Sequence, residues 1–125
     1  MSSSAIVLVA HGSPQPQWAK PAQRVRDMLR QRRPDTRVEL AFLPPAPPDV
    51  FAVIDGLVAD GVLQIEVVAM LLSGGGRHMT KDIPEALAQL RTRHEGVEIR
   101  LCAEALGGTD EVLEAMAAAA ARLLG

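Results

Sequence analysis

Two histidines stand where imidazole chemistry can be done. His11 closes an apolar run as His11-Gly12-Ser13, and His78 follows another through Ser73-Gly74-Gly75-Gly76-Arg77. A neutral imidazole ligates divalent transition metals and accepts a proton near neutral pH, so a converging pair suits metal transfer or proton transfer. Gly74, Gly75 and Gly76 free backbone N–H groups ahead of a helix, which suits a phosphate or carboxylate; the same run also makes a close turn that lets His78 approach the sheet. No Walker A or G-x-G-x-x-G pattern is present, so nothing marks a nucleotide site. The third histidine, His94, ends a predicted helix, where the dipole favours a cation. Cys102, the single cysteine, lies in an apolar run and reads as a small buried hydrophobe; it leaves no internal disulfide and no Cys-rich metal cluster. Arg24, Arg26, Arg30, Arg32 and Arg33 read as a solvated helix face, and Trp18 as a helix-to-sheet packing residue.

The elements that must position these residues alternate strictly. Four apolar runs at 5–10, 38–42, 64–72 and 99–103 read as strands. Three are nearly continuous in apolar residues, as in strands covered by helices on both faces; the second, VELAF, alternates more and suits an edge. Amphipathic stretches follow each strand. The first helix spans about 17–31, with Trp18, Ala22, Val25 and Leu29 on one face and Pro34 beyond its end. The second opens at Asp49, with Val50, Val53, Ile54 and Leu57 on one face and Gly61 as its left-handed terminator. The third opens at Asp82, which has capping-box spacing to Glu85, with Pro84 in the first turn. The fourth starts near Thr109, carries Asp110 and Glu111 in its first turn, and runs to Leu124. Such alternation predicts an α/β, three-layer fold: one parallel four-stranded sheet of order 2-1-3-4 with helices on both faces, flavodoxin-like but short of the last strand. Residues 1–125 form a single domain, within which Leu43-Pro44-Pro45-Ala46-Pro47-Pro48 is a stiff loop. In such sheets a ligand binds beyond the carboxyl ends of the strands where the order reverses, here between the first and third. That topology brings His11 and His78 to one crevice.

Composition narrows the partners. A net charge of -2 gives no reason to expect nucleic acid or an anionic membrane. One Trp, two Phe and no Tyr leave few platforms for stacking bases. The opening MSSSAIVLVAHG lacks a basic segment, and its apolar run is too short for a signal peptide or a membrane span, so a soluble cytoplasmic protein is expected.

On Ile6-Val7-Leu8-Val9-Ala10-His11-Gly12-Ser13, Val38-Glu39-Leu40-Ala41-Phe42-Leu43, and Gly75-Gly76-Arg77-His78 with Lys81-Asp82-Ile83-Pro84, the chain resembles the class II chelatases. The similarity is to the small sirohydrochlorin cobaltochelatase type, related to sirohydrochlorin ferrochelatases and archaeal nickelochelatases, and the order and spacing of these blocks agree with that family from end to end of the chain. The resemblance implies insertion of Co²⁺, Fe²⁺ or Ni²⁺ into sirohydrochlorin or a related tetrapyrrole, without a nucleotide. It implies that His11 and His78 bind the metal and take up pyrrole protons. The carboxylates of the tetrapyrrole would meet backbone amides around Ser13, Gly74, Gly75 and Gly76. A single domain of this kind further implies a homodimer with the cleft near the subunit junction.

One position departs from the family. Many relatives carry an acidic residue after the second strand, in Phe-Leu-Glu; here the sequence is Phe42-Leu43-Pro44, and Glu104 past the fourth strand is the substitute carboxylate on offer. Pro44 motivates a competing reading, a tetrapyrrole or metal carrier without turnover. A histidine phosphatase, whose first strand also ends in His-Gly, needs an arginine directly before that histidine, where this chain has Ala10.

Overall fold

In the computed structural model, residues 3–12, 15–71 and 76–125 are described, Pro16 and Trp18 by their backbone only. The elements run β1 (Ser4–Ala10), a 3-10 turn (Pro16–Ala19), α1 (Lys20–Arg32), β2 (Arg37–Phe42), α2 (Val50–Ala59), β3 (Gln64–Met70), a π-helical turn (His78–Asp82), α3 (Ile83–Arg93), β4 (Glu98–Leu101), a 3-10 turn (Leu106–Gly108) and α4 (Asp110–Leu124). The sheet is parallel, in the expected order β2-β1-β3-β4, with β2 at an edge. Ala10, the last residue of β1, is in register with Phe42 on one side and Met70 on the other, so the three strands end together. His11 therefore emerges at the middle of the C-terminal edge.

Local chemistry explains the helix ends. The Asp49 side chain accepts a bond from the Ala52 N–H at 2.9 Å and opens α2. Gly61, at φ +90°, closes it, with Gly61 N–H bonded to Val58 and Val62 N–H to Leu57, the paired bonds of a glycine-terminated helix. The first helix begins as a 3-10 turn and becomes regular at Lys20.

Two hydrophobic layers flank the sheet. On one side Val7, Val9, Ile65, Val67 and Ala69 pack against Ile54 and Leu57 of α2 and Ile83, Leu87 and Leu90 of α3. On the other, Leu8, Ala10, Val38, Leu40 and Phe42 pack against Ala22, with Val25 and Leu29 alongside. This second side is covered by α1 over β1 and β2. The expectation that the third strand is covered on both faces is not met within one chain, since Glu66, Val68 and Met70 are only half-buried. No helix among the described residues is long and apolar enough to cross a membrane.

Candidate functional site

The sheet edge brings the two histidines together. Their ring centroids lie 4.9 Å apart, the planes inclined by 61°. His11 is exposed and His78 half-buried, so both reach solvent. They line a cavity of about 520 Å³ with Gly12, Leu43, Pro44, Pro45, Ala46 and Pro47. One wall is thus the stiff loop after β2, an apolar surface facing two imidazoles.

That wall is fixed by backbone bonds. Leu43 N–H donates to the Ala10 carbonyl at 3.2 Å, Ala46 N–H to Leu43 at 3.2 Å, and Phe42 N–H to Pro48 at 2.9 Å. Glycine at position 12 is what allows the loop to close on β1: a Cβ there would fall 2.1 Å from that of Ala46.

His78 is held from behind. Its Nδ1 lies 2.8 Å from Asp82 Oδ2, and Arg77 Nε lies 3.8 Å from the other carboxylate oxygen. With Nδ1 protonated toward the carboxylate, Nε2 is the nitrogen left to ligate or accept a proton. The expected capping box of Asp82 and Glu85 is not formed. Asp82 has helical angles and caps nothing, because the helical run already begins at Arg77. The first turn is π-helical, closed by Ile83 N–H to the His78 carbonyl. Pro84 explains the width of this turn. It has no N–H to return to Thr80, and in a regular α-turn its ring would press on that carbonyl.

The remaining candidates distribute as follows. Gly76 is exposed, and its carbonyl accepts from the Met79 and Thr80 N–H groups, so it opens the helical run. Ser13, Gly74 and Gly75 lie outside the described residues, as does Leu72 at the end of the predicted third strand. Glu104 is exposed and is not among the residues lining the cavity, whereas Pro44 is. Among the described residues no group of three or more His, Cys, Asp or Glu side chains forms a potential metal cage. The pair offers two nitrogen donors and an open remainder, an arrangement that can receive a metal and release it.

His94 is not part of this site. It bonds to Asp55 of α2 at 2.5 Å beside Arg93, so it ties α3 to α2 besides ending a helix. Cys102 is half-buried beside Glu66 and belongs to neither core layer, so the expected buried packing residue is not what the fold shows; burial, then the neighbouring Glu66 carboxylate, pushes its thiol above the usual range, so it is a poor nucleophile. Arg26 and Arg30 pair with Asp27 and Glu39, in keeping with a solvated face. What the sequence reading missed is the role of Asp82. Its signal was the His-x-x-x-Asp spacing, which puts two side chains on one helical face.

Comparison with known proteins bears on this geometry. The family model described as CbiX matches residues 5–123. A CbiX protein of Marinobacter aquaeolei VT8, assigned to cobalamin (vitamin B12) biosynthesis, superposes with TM-score 0.82 at 26% identity, over 97% of this chain and 94% of that one. The sirohydrochlorin chelatase SirB of Bacillus subtilis subspecies spizizenii, in complex with cobalt, gives 0.76 at 26% identity, over 94% of this chain and 49% of that one. SirB of Bacillus subtilis with Fe³⁺ gives 0.80 at 26% identity, over 94% and 46%. The chain thus spans about half the length of the SirB chains. No curated protein matches the sequence.

Proposed function

The chain belongs to the CbiX family, and on that premise we propose that it inserts a divalent metal ion into sirohydrochlorin or a closely related tetrapyrrole, with His11 and His78 as metal ligands and proton acceptors. The observation that carries this reading is the imidazole pair, 4.9 Å between centroids, facing the apolar loop wall of one cavity. A flat macrocycle has an apolar face for Leu43 and the prolines and a polar centre for the histidines.

The chemistry balances on these residues. Insertion exchanges one M²⁺ for the two N–H protons of the macrocycle. The ion first rests on the two imidazoles and keeps its other positions for water and incoming pyrrole nitrogens. As each metal–imidazole bond breaks, the freed nitrogen becomes a base beside a pyrrole N–H, so two imidazoles suffice for two protons. Asp82 orients His78 and stabilises it once protonated. No nucleotide enters this scheme, since the macrocycle's own affinity for the metal drives the exchange. The macrocycle carboxylates are assigned to backbone N–H groups at Ser13, Gly74, Gly75 and Gly76; in support, Gly76 opens a helical run, whose first N–H groups have no partner within the helix.

Co²⁺, Fe²⁺ and Ni²⁺ all suit two imidazoles, and the cobalt and iron bound to the SirB relatives favour the first two. The working form is a homodimer in the cytoplasm, the second copy standing where SirB has the rest of its chain. The test is the absorbance change of sirohydrochlorin with each metal in turn. At least one metal is inserted faster than without protein, and His11→Ala or His78→Ala removes most of the gain. Pro44, at the cavity wall where many relatives have an acid, favours one second reading, a carrier. Binding of the tetrapyrrole with metallation no faster than background leaves only the carrier.

A further inference from the structure

The turn that carries His78 also carries two cations that its own helix disfavours. Residues 77–93 form one helical run, from the helical angles of Arg77 through the π-turn into α3. The start of a helix has N–H groups without helical partners and the positive end of the dipole, so acids are stabilised there and cations are not. The helix α4 follows this preference and opens with Asp110 and Glu111. The run at His78 instead opens with Arg77 and Lys81. Their i, i+4 spacing puts two like charges on one side of the run, which adds mutual repulsion.

Neither cation is matched by an acid. The Arg77 side chain is 73% exposed, and its Nε stands 3.8 Å from Asp82 Oδ1, too far for a charged hydrogen bond. The other oxygen of that carboxylate is committed to His78 at 2.8 Å. Lys81 is exposed and forms no ion pair among the described residues. By contrast Arg26, Arg30, Arg37, Arg93 and Arg100 each hold a carboxylate oxygen at 2.9 Å or less. The histidine cavity next to this turn gives the pair a purpose. Its described lining is the apolar loop, Gly12 and the two imidazoles, with no lysine or arginine. A tetrapyrrole carries its carboxylates on acetate and propionate arms around its rim. With its face on the loop and its centre at His11 and His78, those arms reach past the cavity walls. Arg77 directly precedes His78, and Lys81 follows it within the same widened turn.

We propose that Arg77 and Lys81 bind rim carboxylates of the macrocycle and select a tetrapyrrole with its acetate and propionate arms intact over one whose acetates are replaced by methyl groups. The inference rests on the function proposed above. In the free chain the two cations oppose the helix dipole and each other. A carboxylate bound between them reverses both terms, since it is favoured by the dipole and screens one cation from the other. The two side chains grip differently. Arg77 offers a planar fork that can take both oxygens of one carboxylate, whereas Lys81 is a point charge on a flexible stem that can follow another arm.

Arg77→Gln, Lys81→Gln and the double variant are compared with the parent chain. Arg33→Gln, just past α1 at the opposite edge of the sheet, removes the same charge elsewhere. KM and kcat for sirohydrochlorin are measured by absorbance with the metal that the parent inserts fastest. Kd is measured without metal, by fluorescence, for uroporphyrin, which has acetate and propionate arms, and coproporphyrin, which has methyl groups in place of the acetates. Loss of an exposed ion pair weakens binding about two- to fivefold, so each single variant raises KM by that factor and the double variant by about 4- to 25-fold. kcat stays unchanged, and Arg33→Gln matches the parent in both. The parent binds uroporphyrin more tightly than coproporphyrin, and the double variant loses most of that preference. Melting temperatures of the variants equal or exceed the parent's, because a charge conflict has been removed. A fall in kcat at unchanged KM means that Arg77 acts through Asp82, and overturns the proposal. So does a lower melting temperature, which makes the cations part of the helix, or an equal loss with Arg33→Gln, which makes the effect one of overall charge. Unchanged KM and Kd in the double variant overturn it and leave the metal insertion standing. Where the parent binds tetrapyrroles without turnover, the Kd comparison decides alone. A parent chain that neither metallates sirohydrochlorin nor binds either porphyrin overturns both readings.

Discussion

Asp82 Oδ2 lies 2.8 Å from His78 Nδ1 across one widened helical turn, so the carboxylate sets which imidazole nitrogen faces the cavity. A carboxylate behind a metal-binding histidine fixes its tautomer and raises its basicity, and losing such a partner costs about 10–100-fold in metal affinity or activity. Asp82→Ala is expected to lower the metallation rate by that order while leaving the KM for the tetrapyrrole unchanged. Asp82→Asn, which keeps a hydrogen-bonding oxygen, retains more of it. Steady-state absorbance assays on both variants check the prediction.

Gly12→Ala is expected to destabilise the fold by about 1–3 kcal/mol, the usual range for overpacking. The new methyl would stand 2.1 Å from the Ala46 side chain, so the loop wall must shift. Ala46→Gly removes the obstacle, and the double variant should recover most of the loss. Urea denaturation of the two single variants and the pair gives the coupling directly.

Pro44→Glu places a carboxylate at the cavity wall, where a metal held by two imidazoles has open positions. Tighter Co²⁺ binding is expected, measured by titration in the absence of tetrapyrrole. If that tighter hold slows transfer, kcat falls as affinity rises. The variant thereby separates metal capture from metal release.

His94→Ala serves as the internal comparison. Its side chain is 16% exposed and bonds to Asp55, which is 38% exposed, so the cost to stability is about 1 kcal/mol. Metallation by the folded protein should match that of the parent chain. Thermal melts alongside the absorbance assay distinguish this structural histidine from the other two.

Much of this was legible in the residues. Apolar runs between amphipathic stretches dictate the parallel sheet and its order, and with them the convergence of His11 and His78. Asp49 and Gly61 mark the ends of α2 because a side-chain oxygen and a left-handed glycine do jobs that few residues do. The π-turn at His78 was not legible, since helical propensity says that residues coil but not how wide the turn is. It followed only when Pro84 was seen inside a helical run rather than at its start. The cavity wall depended on a non-local contact, Gly12 against Ala46, to which a pattern of local periodicity is blind.

The proposed insertion requires one ion lying between two imidazoles. Crystals of the protein soaked in Co²⁺ without tetrapyrrole, measured at the cobalt absorption edge, locate that ion directly. The expected anomalous map has a peak at about 2.1 Å from a ring nitrogen of both His11 and His78, a bond length typical of imidazole ligation. A peak bound at His94 and Asp55 with none between His11 and His78, or no peak at saturating cobalt, would contradict it.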